Sequence, residues 1–136
     1  MVAALYDHGR NEFLNGNLDW VNDDIRVALV DTGTYTVDLA NDQDMADVSG
    51  IVAQSSASIA SKSAAAGVAD GDDHVISSVS GATIEAMVLY LHTGTPANDT
   101  LIAYLDQNDV TGLPLTPNGG DVTIAWDSGA NKIFKL

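Results

Sequence analysis

Short apolar segments with the patterning of β-strands recur along this chain, and residues that favour turns stand between them. The clearest is residues 25–30 (IRVALV), which alternates around Arg26 and is rich in β-branched side chains. Residues 83–91 (TIEAMVLYL) are apolar almost without interruption, which predicts a strand buried on both faces. Residues 101–105 and 121–126 are further short segments of this kind. With the weaker segments included, the pattern predicts six to eight short strands in a mainly β fold, an antiparallel β-sandwich or a barrel-like domain.

One short N-terminal helix is expected ahead of these strands, over residues 7–16. Asp7 would cap its first turn and Gly16 would end it. Phe13 and Leu14 are the apolar side chains of this segment, and we expect both to face inward.

The remaining segments give weaker signals. Residues 54–66 (QSSASIASKSAAA) are low in complexity, and their small alternating side chains predict a flat strand. Residues 68–73 (VADGDD) have the composition of a turn, and a helical turn is expected near residues 42–47. Residues 74–79 predict a short strand, and residues 132–136 predict the last one.

The composition suits one domain. A chain of 136 residues buries about two-thirds of its unfolded surface, so a single core is feasible without covalent cross-links. The sequence contains no cysteine, which excludes disulfides and thiolate metal sites. No linker separates two apolar parts, so we expect a single domain over residues 1–136. Residues 1–6 leave open an N-terminal arm or a strand packed on the core.

Charge is the most unusual global property. Nineteen acidic residues face five basic ones, a net charge of −14, and seventeen of the nineteen are Asp. Such a surface repels phosphate backbones and anionic membranes, so we expect neither nucleic acid nor a membrane as a partner. Asp suits turns and caps whereas Glu suits helix interiors, so the choice of acid also indicates loops and β-structure.

No residues converge on a metal, cofactor or catalytic site, and we expect none. His8, His74 and His92 lack the spacing of metal ligands. The acidic segment at residues 70–73 (DGDD) could gather oxygens around Ca²⁺, but the Glu that an EF-hand requires would fall on Gly81. A solvated turn is the favoured interpretation, and weak cation binding stays open.

One segment offers an enzymatic alternative. Asp31-Thr32-Gly33 follows an apolar strand, as in the catalytic loop of retropepsin-like aspartic proteases, where two such Asp residues share a proton. The bulky Tyr35 follows closely, where that family has small residues, and its second landmark, an apolar pair leading to Gly, is not found later in the chain. Asp-Thr-Gly is also ordinary turn chemistry, which we favour.

Two longer stretches carry a resemblance to a known family. Residues 13–20 (FLNGNLDW) lead into residues 24–31 (DIRVALVD), and residues 116–127 (TPNGGDVTIAWD) precede residues 129–136 (GANKIFKL). Together they resemble a family of small virion structural proteins encoded by tailed bacteriophages. The resemblance spans nearly the whole chain, and its motifs are structural, so it brings no catalytic residues.

The resemblance implies a part of the virion, and within it we favour a capsid cement or decoration protein. Such proteins are small, β-rich and commonly trimeric, and they bind the outer shell where capsomers of the major capsid protein meet. A tail or tail-tip protein is the alternative within this class. From another class, a carbohydrate-binding module would expose Trp20 or Trp126 on one sheet face, although both tryptophans are expected to be core anchors.

The two chain ends are the predicted subunit or capsid interface. Both are apolar, whereas free termini are usually polar and frayed. At the C-terminal end the sequence predicts an end held in the sheet or at an interface, and at the N-terminal end it leaves open a core-packed strand or an arm. The predicted interface residues are Met1, Val2, Ala3, Ala4, Leu5, Ile133, Phe134 and Leu136.

Overall fold

A computed structural model describes residues 3–136 of the chain. These residues form one α-helix, α1 (Asp7–Leu14), and ten strands. The strands are β1 (Ala4–Leu5), β2 (Ile25–Val30), β3 (Ile51–Gln54), β4 (Ser63–Ala65), β5 (Val68–Asp70), β6 (His74–Ile76), β7 (Ala86–Leu91), β8 (Leu101–Asp106), β9 (Val122–Ile124) and β10 (Phe134–Lys135). The mainly β prediction with one short N-terminal helix is confirmed. The count exceeds six to eight because several strands are pairings of two or three residues.

A five-stranded antiparallel sheet forms the centre of the fold. Its strand order is β1-β8-β7-β2-β3, so β7 lies in the middle with β2 and β8 on either side. Val27 of β2 faces Leu89 of β7, and Leu89 faces Ala103 of β8. Five of the six β7 residues are buried, as predicted for a strand that is covered on both faces.

Two smaller sheets cover one face of the central sheet. One has the order β10-β5-β4 and the other pairs β6 with β9, all antiparallel. Val27, Leu29 and Leu89 of the central sheet share a core with Ile124 and Phe134 of the smaller sheets. This packing makes the fold sandwich-like, as the alternating strands predicted.

The opposite face of the central sheet is covered by a loop segment, residues 31–49. This segment carries Tyr35, Met45 and Val48 onto the sheet, where they form a second core. A 3₁₀ turn, Met45–Asp47, lies where a helical turn was predicted. The central sheet therefore has no solvent-facing side at its middle strands.

Helix α1 packs against β8 at Gly9. The sequence had predicted that Phe13 and Leu14 would both face inward from this helix. Gly9 is buried, and a Cβ at this position would clash with the carbonyl oxygen of Leu101. Phe13 packs against the first core, as predicted. The inward orientation predicted for Leu14 is wrong, because Leu14 is 81% exposed and follows Phe13 around the helix.

The predicted flat strand over residues 54–66 is also wrong. Strand β3 ends at Gln54, and pairing resumes only at β4. Between them, the hydroxyl oxygens of Ser55 and Ser58 accept hydrogen bonds from the backbone N–H groups of Val27 and Ile25, at 2.9 and 3.1 Å. Serine side chains therefore take the place of carbonyl groups beside β2, and the backbone leaves the strand conformation.

Residues 68–70 form a strand where the sequence predicted a turn. Strand β5 pairs with β4 on one side and with β10 on the other. The actual turn lies two residues earlier, at Ala66 and Gly67, which both have positive φ, 53° and 77°. Two such residues make the tight turn that joins antiparallel strands.

No helix within residues 3–136 is long and apolar enough to cross a lipid bilayer.

Candidate interaction surface

The C-terminal end is held within the chain's own sheet. Phe134 of β10 faces Ala69 of β5, and the backbone N–H of Leu136 donates to the carbonyl of Gly67 at 2.8 Å. The side chains of Ile133 and Phe134 are buried in the first core. Only Leu136 among the predicted C-terminal interface residues is exposed, by 56%.

The N-terminal segment is likewise a core-packed strand over the residues that the structure describes. Ala4 and Leu5 of β1 face Tyr104 and Ala103 of β8. Ala3 and Leu5 are buried, and Ala4 is partly exposed. The predicted interface residues Met1 and Val2 lie outside the described residues.

The structure thus divides the predicted interface residues into two groups. Ala3, Leu5, Ile133 and Phe134 serve the core of this chain, because their side chains face its interior. Ala4 and Leu136 are exposed enough to contact another subunit, and their place in an interface stays a prediction.

Leu136 borders an apolar depression that sequence reasoning did not find. The depression has a volume of about 420 Å³, and we call its lining the apolar corner. The residues that define the apolar corner are Phe13, Trp20, Val21, Val68 and Leu136. Val21 is 45% exposed, so with Leu136 it presents apolar surface to solvent on a strongly acidic protein. No local motif signals this surface, because its members come from three separate parts of the chain, near residues 13–21, at residue 68 and at residue 136.

The floor of the apolar corner is preorganised by aromatic packing. The rings of Trp20 and Phe134 meet edge to face, with centroids 5.1 Å apart. The ring of Phe13 also lies against Phe134, at 6.1 Å between centroids. The indole Nε1 of Trp20 donates to the carbonyl of Asp70 at 3.1 Å, which fixes the orientation of the ring. A rigid apolar floor favours binding because little side-chain entropy is lost when it is covered.

Many of the Asp side chains build turns. Asp19 accepts hydrogen bonds from the backbone N–H groups of Val21 and Asn22 and from the Asn22 side chain. Asp38 repeats this arrangement with Ala40 and Asn41. The pKa of each carboxyl is lowered, first by the side-chain hydrogen bond from its Asn. The prediction that Asp marks turns is confirmed at both sites.

Asp31 also lies in a hydrogen-bonded turn. Its Oδ1 accepts from the backbone N–H of Gly33 at 2.8 Å, and its carbonyl accepts from the N–H groups of Thr34 and Tyr35. The carboxylate of Glu85 accepts from the N–H of Thr32 at 3.0 Å. These hydrogen bonds are those of an ordinary turn, as the favoured interpretation predicted. Within this single chain they do not support the protease alternative.

The histidines occupy separate environments. His74 is buried on β6, and its Nε2 has no hydrogen-bond partner among residues 3–136. The Nδ1 of His92 lies 3.7 Å from Oδ2 of the buried Asp99, while His8 is partly exposed on α1. In the described part of the chain, no three His, Asp or Glu side chains lie together in a way that would hold a metal ion.

The two tryptophans differ in exposure. Trp20 is a core anchor, as predicted, whereas Trp126 is only partly buried. Trp126 lines a second depression, of about 340 Å³, between residues 107–111 and residues 125–128. We call this depression the polar groove; its defining residues are Gln107, Asn108, Asp109, Trp126 and Ser128.

No protein-family model matches the chain, and a search of curated proteins also gives no match.

Proposed function

We propose that this protein is a non-enzymatic virion structural protein of a tailed bacteriophage, and within that class a capsid cement protein. It would bind the outer surface of the shell and clamp neighbouring major capsid subunits. The observation that carries the proposal is the apolar corner, where Val21 and Leu136 are exposed above a rigid aromatic floor. A solvent-facing apolar surface of this kind is typical of a contact site for another protein.

The charge of the chain supports an external position. With a net charge of −14, the protein would be repelled by packaged DNA inside a shell. On the outer surface the same charge keeps unbound copies soluble and favours docking to basic regions of a partner. Many copies on one shell also allow each contact to be weak, because simultaneous contacts add avidity.

The use of acidic side chains supports a structural role. Asp19, Asp31 and Asp38 each have carboxylate oxygens occupied by backbone N–H groups of the following turn. Charges used in this way stabilise loop conformations between short strands.

Oligomeric state is the first test. A closed ring of three copies would place one trimer at a threefold position of a shell. Size-exclusion chromatography with light scattering, with and without EDTA, measures the oligomer directly. We expect a trimer that is insensitive to EDTA, since the carboxylates of Asp19 and Asp38 already accept hydrogen bonds from their own turns.

The role of the apolar corner is tested with matched substitutions. Leu136→Asp and Val21→Asp place a charge on the corner, while Val75→Asp changes an equally exposed apolar side chain on β6, outside the corner. We expect the first two variants to lose binding to shells assembled from the major capsid protein of the same phage, and the Val75 variant to retain it. Failure of the wild-type protein to co-sediment with such shells would overturn the cement proposal.

A tail or tail-tip protein remains the alternative within the structural class. The two roles are separated by labelling the protein and locating it on whole particles by electron microscopy. Label on heads supports the cement proposal, and label confined to tails supports the alternative.

A further inference from the structure

Trp126 is held as a rigid platform beside the polar groove. Its indole Nε1 donates to the carbonyl of Asp72 at 2.8 Å, and its backbone N–H donates to the carboxylate of Asp73 at 3.2 Å. One part of the ring packs against the first core, and the remainder lines the groove. Fixing both the backbone and the indole leaves the ring little freedom to lose when a ligand covers it.

The opposite wall of the polar groove is rich in hydrogen-bonding groups. Gln107 and Asn108 are exposed, and each carries an amide that both donates and accepts hydrogen bonds. Ser128 adds a hydroxyl on the side of Trp126. One fixed aromatic surface together with several polar groups that line the same depression suits a small polar ligand.

Asp109 fixes the loop that carries this wall. Its Oδ2 accepts from the backbone N–H of Asp106 at 3.1 Å, while its buried Oδ1 has no partner among residues 3–136. Burial raises the pKa of this carboxyl above its ordinary value. Because Oδ1 is buried, it is not open to a ligand in the groove, and Asp109 acts by holding the backbone beside Gln107 and Asn108.

We propose that the polar groove binds a neutral saccharide. The apolar C–H face of a pyranose ring would lie against the indole of Trp126, because an indole offers a large flat apolar surface. Sugar hydroxyls would bond the exposed amides of Gln107 and Asn108 and the hydroxyl of Ser128.

The chemistry of the surroundings selects this ligand class. Asp109 and Asp127 both line the groove of a protein with net charge −14, so sugars that carry carboxylate, sulfate or phosphate groups are disfavoured. A hydrocarbon ligand is better suited to a different depression, of about 250 Å³, which lies over the apolar side chains of Leu29, Ile84 and Met87.

This proposal does not depend on the cement proposal. The polar groove and the apolar corner share no lining residue, so each is tested by its own variants. Variants of the polar groove that lose saccharide binding should still bind shells. Variants of the apolar corner that lose shell binding should still bind the saccharide.

Binding is measured by heteronuclear NMR on the whole protein, titrated separately with maltotriose, cellotriose and chitotriose to about 10 mM, a range that detects weak affinities. We expect at least one of these neutral sugars to shift the resonances of residues 107–111 and 125–128, and a heparin trisaccharide to shift none of them. Tryptophan fluorescence gives a second signal from Trp126, since Trp20 is buried. If none of the three sugars causes a shift, the proposal is overturned.

Two variants test the assigned contacts. Trp126→Ala removes the platform, and Gln107→Ala removes one of the two exposed amides. We expect each to weaken binding by about tenfold or more. Asn98→Ala, in the loop at the opposite end of β8, is the control and should bind as the wild type does.

Melting curves show whether each variant is folded. If Trp126→Ala does not fold, Gln107→Ala decides the result, because the side chain of Gln107 is exposed and its removal should leave the fold intact. Unchanged affinity in a folded Gln107→Ala protein would sink the assignment of the groove.

Discussion

The indole of Trp20 and the ring of Phe134 pack edge to face at an interplanar angle of 84°. The two residues lie 114 positions apart in the chain, one between α1 and β2 and the other on the last strand. With the hydrogen bond from Trp20 to the carbonyl of Asp70, this contact joins three distant segments. The C-terminal strand is therefore part of the core and supports the floor of the apolar corner.

Removing Phe134 should strongly destabilise the protein. Phe134→Ala leaves a cavity beneath Trp20, and we expect the free energy of unfolding to fall by about 3–5 kcal/mol, measured by urea denaturation. The neighbouring Lys135 is exposed, so Lys135→Ala should change it by less than about 0.5 kcal/mol. Equal, small effects from both changes would contradict the anchoring role.

A buried tyrosine pair fixes the loop segment that covers the central sheet. The Tyr35 hydroxyl donates to the carboxylate of Asp42 at 2.6 Å, so the Tyr6 hydroxyl, 2.9 Å away, must donate to Tyr35. Burial raises the pKa of both tyrosines far above the ordinary value. We expect Tyr35→Phe to cost about 1–3 kcal/mol in chemical denaturation, because it leaves the buried Tyr6 hydroxyl without its acceptor and removes one of the donors to the partly exposed Asp42.

The comparison variants for this pair are Tyr6→Phe and Tyr104→Phe. Tyr6→Phe removes one hydrogen bond while Tyr35 keeps Asp42, so its cost should be smaller than that of Tyr35→Phe. Tyr104 packs against Tyr35, but its hydroxyl makes no hydrogen bond within residues 3–136, and Tyr104→Phe should be nearly neutral. If Tyr104→Phe costs as much as Tyr35→Phe, packing and not hydrogen bonding holds the segment.

Helix α1 should be intolerant of any side chain at position 9. Gly9→Ala adds a methyl group that meets the carbonyl oxygen of Leu101, so helix and strand must separate. We expect a loss of about 1–3 kcal/mol in the free energy of unfolding, although alanine is the better helix former. Asn11→Ala, on an exposed position of the same helix, should be neutral or stabilising, and a stabilising Gly9→Ala would show that the close contact is absent.

His74 should make the fold sensitive to mild acid. Burial lowers the pKa of this imidazole below its ordinary value of 6.5, so the folded protein keeps the ring neutral while the unfolded chain binds a proton. The unfolded state then binds more protons below about pH 6.5, and stability must fall as the pH drops through that value.

The measurement is the free energy of unfolding between about pH 7.5 and 5 for three proteins. His74→Leu should lose less stability over this range than the wild type, because it has no buried imidazole to protonate. His8 is partly exposed on α1, so the stability of His8→Leu should change with pH as that of the wild type does. The explanation fails if the free energy of unfolding of His74→Leu falls with pH as steeply as that of the wild type.

Where a pattern is local, the sequence predicted the structure well. The apolar runs of β2, β7 and β8 mark their own positions, because alternation and β-branching act within a few residues. The carboxylates of Asp19 and Asp38 likewise accept hydrogen bonds from residues two or three positions ahead.

The errors arise where backbone groups find an unexpected partner. Residues after Gln54 leave the strand because the hydroxyls of Ser55 and Ser58 replace carbonyl acceptors next to β2. Residues 68–70 form a strand because β4 and β10 are available on either side. Neither effect is visible in the composition of the segment itself.

The candidate sites were predicted only in part. The sequence singled out both chain ends because they are apolar, but apolar side chains serve a core and an interface equally well. The fold buries Ile133 and Phe134 and exposes Leu136, and it buries Trp20 while leaving Trp126 beside the polar groove.

By itself, then, the sequence determined the fold class, the one short helix, the main strands and the preference of Asp for turns, all of which depend on short-range preferences. The tertiary structure alone decided which apolar and aromatic side chains are covered. Burial depends on surfaces contributed by segments as far apart as Phe13, Val68 and Leu136, and no short-range preference specifies which of these segments will meet.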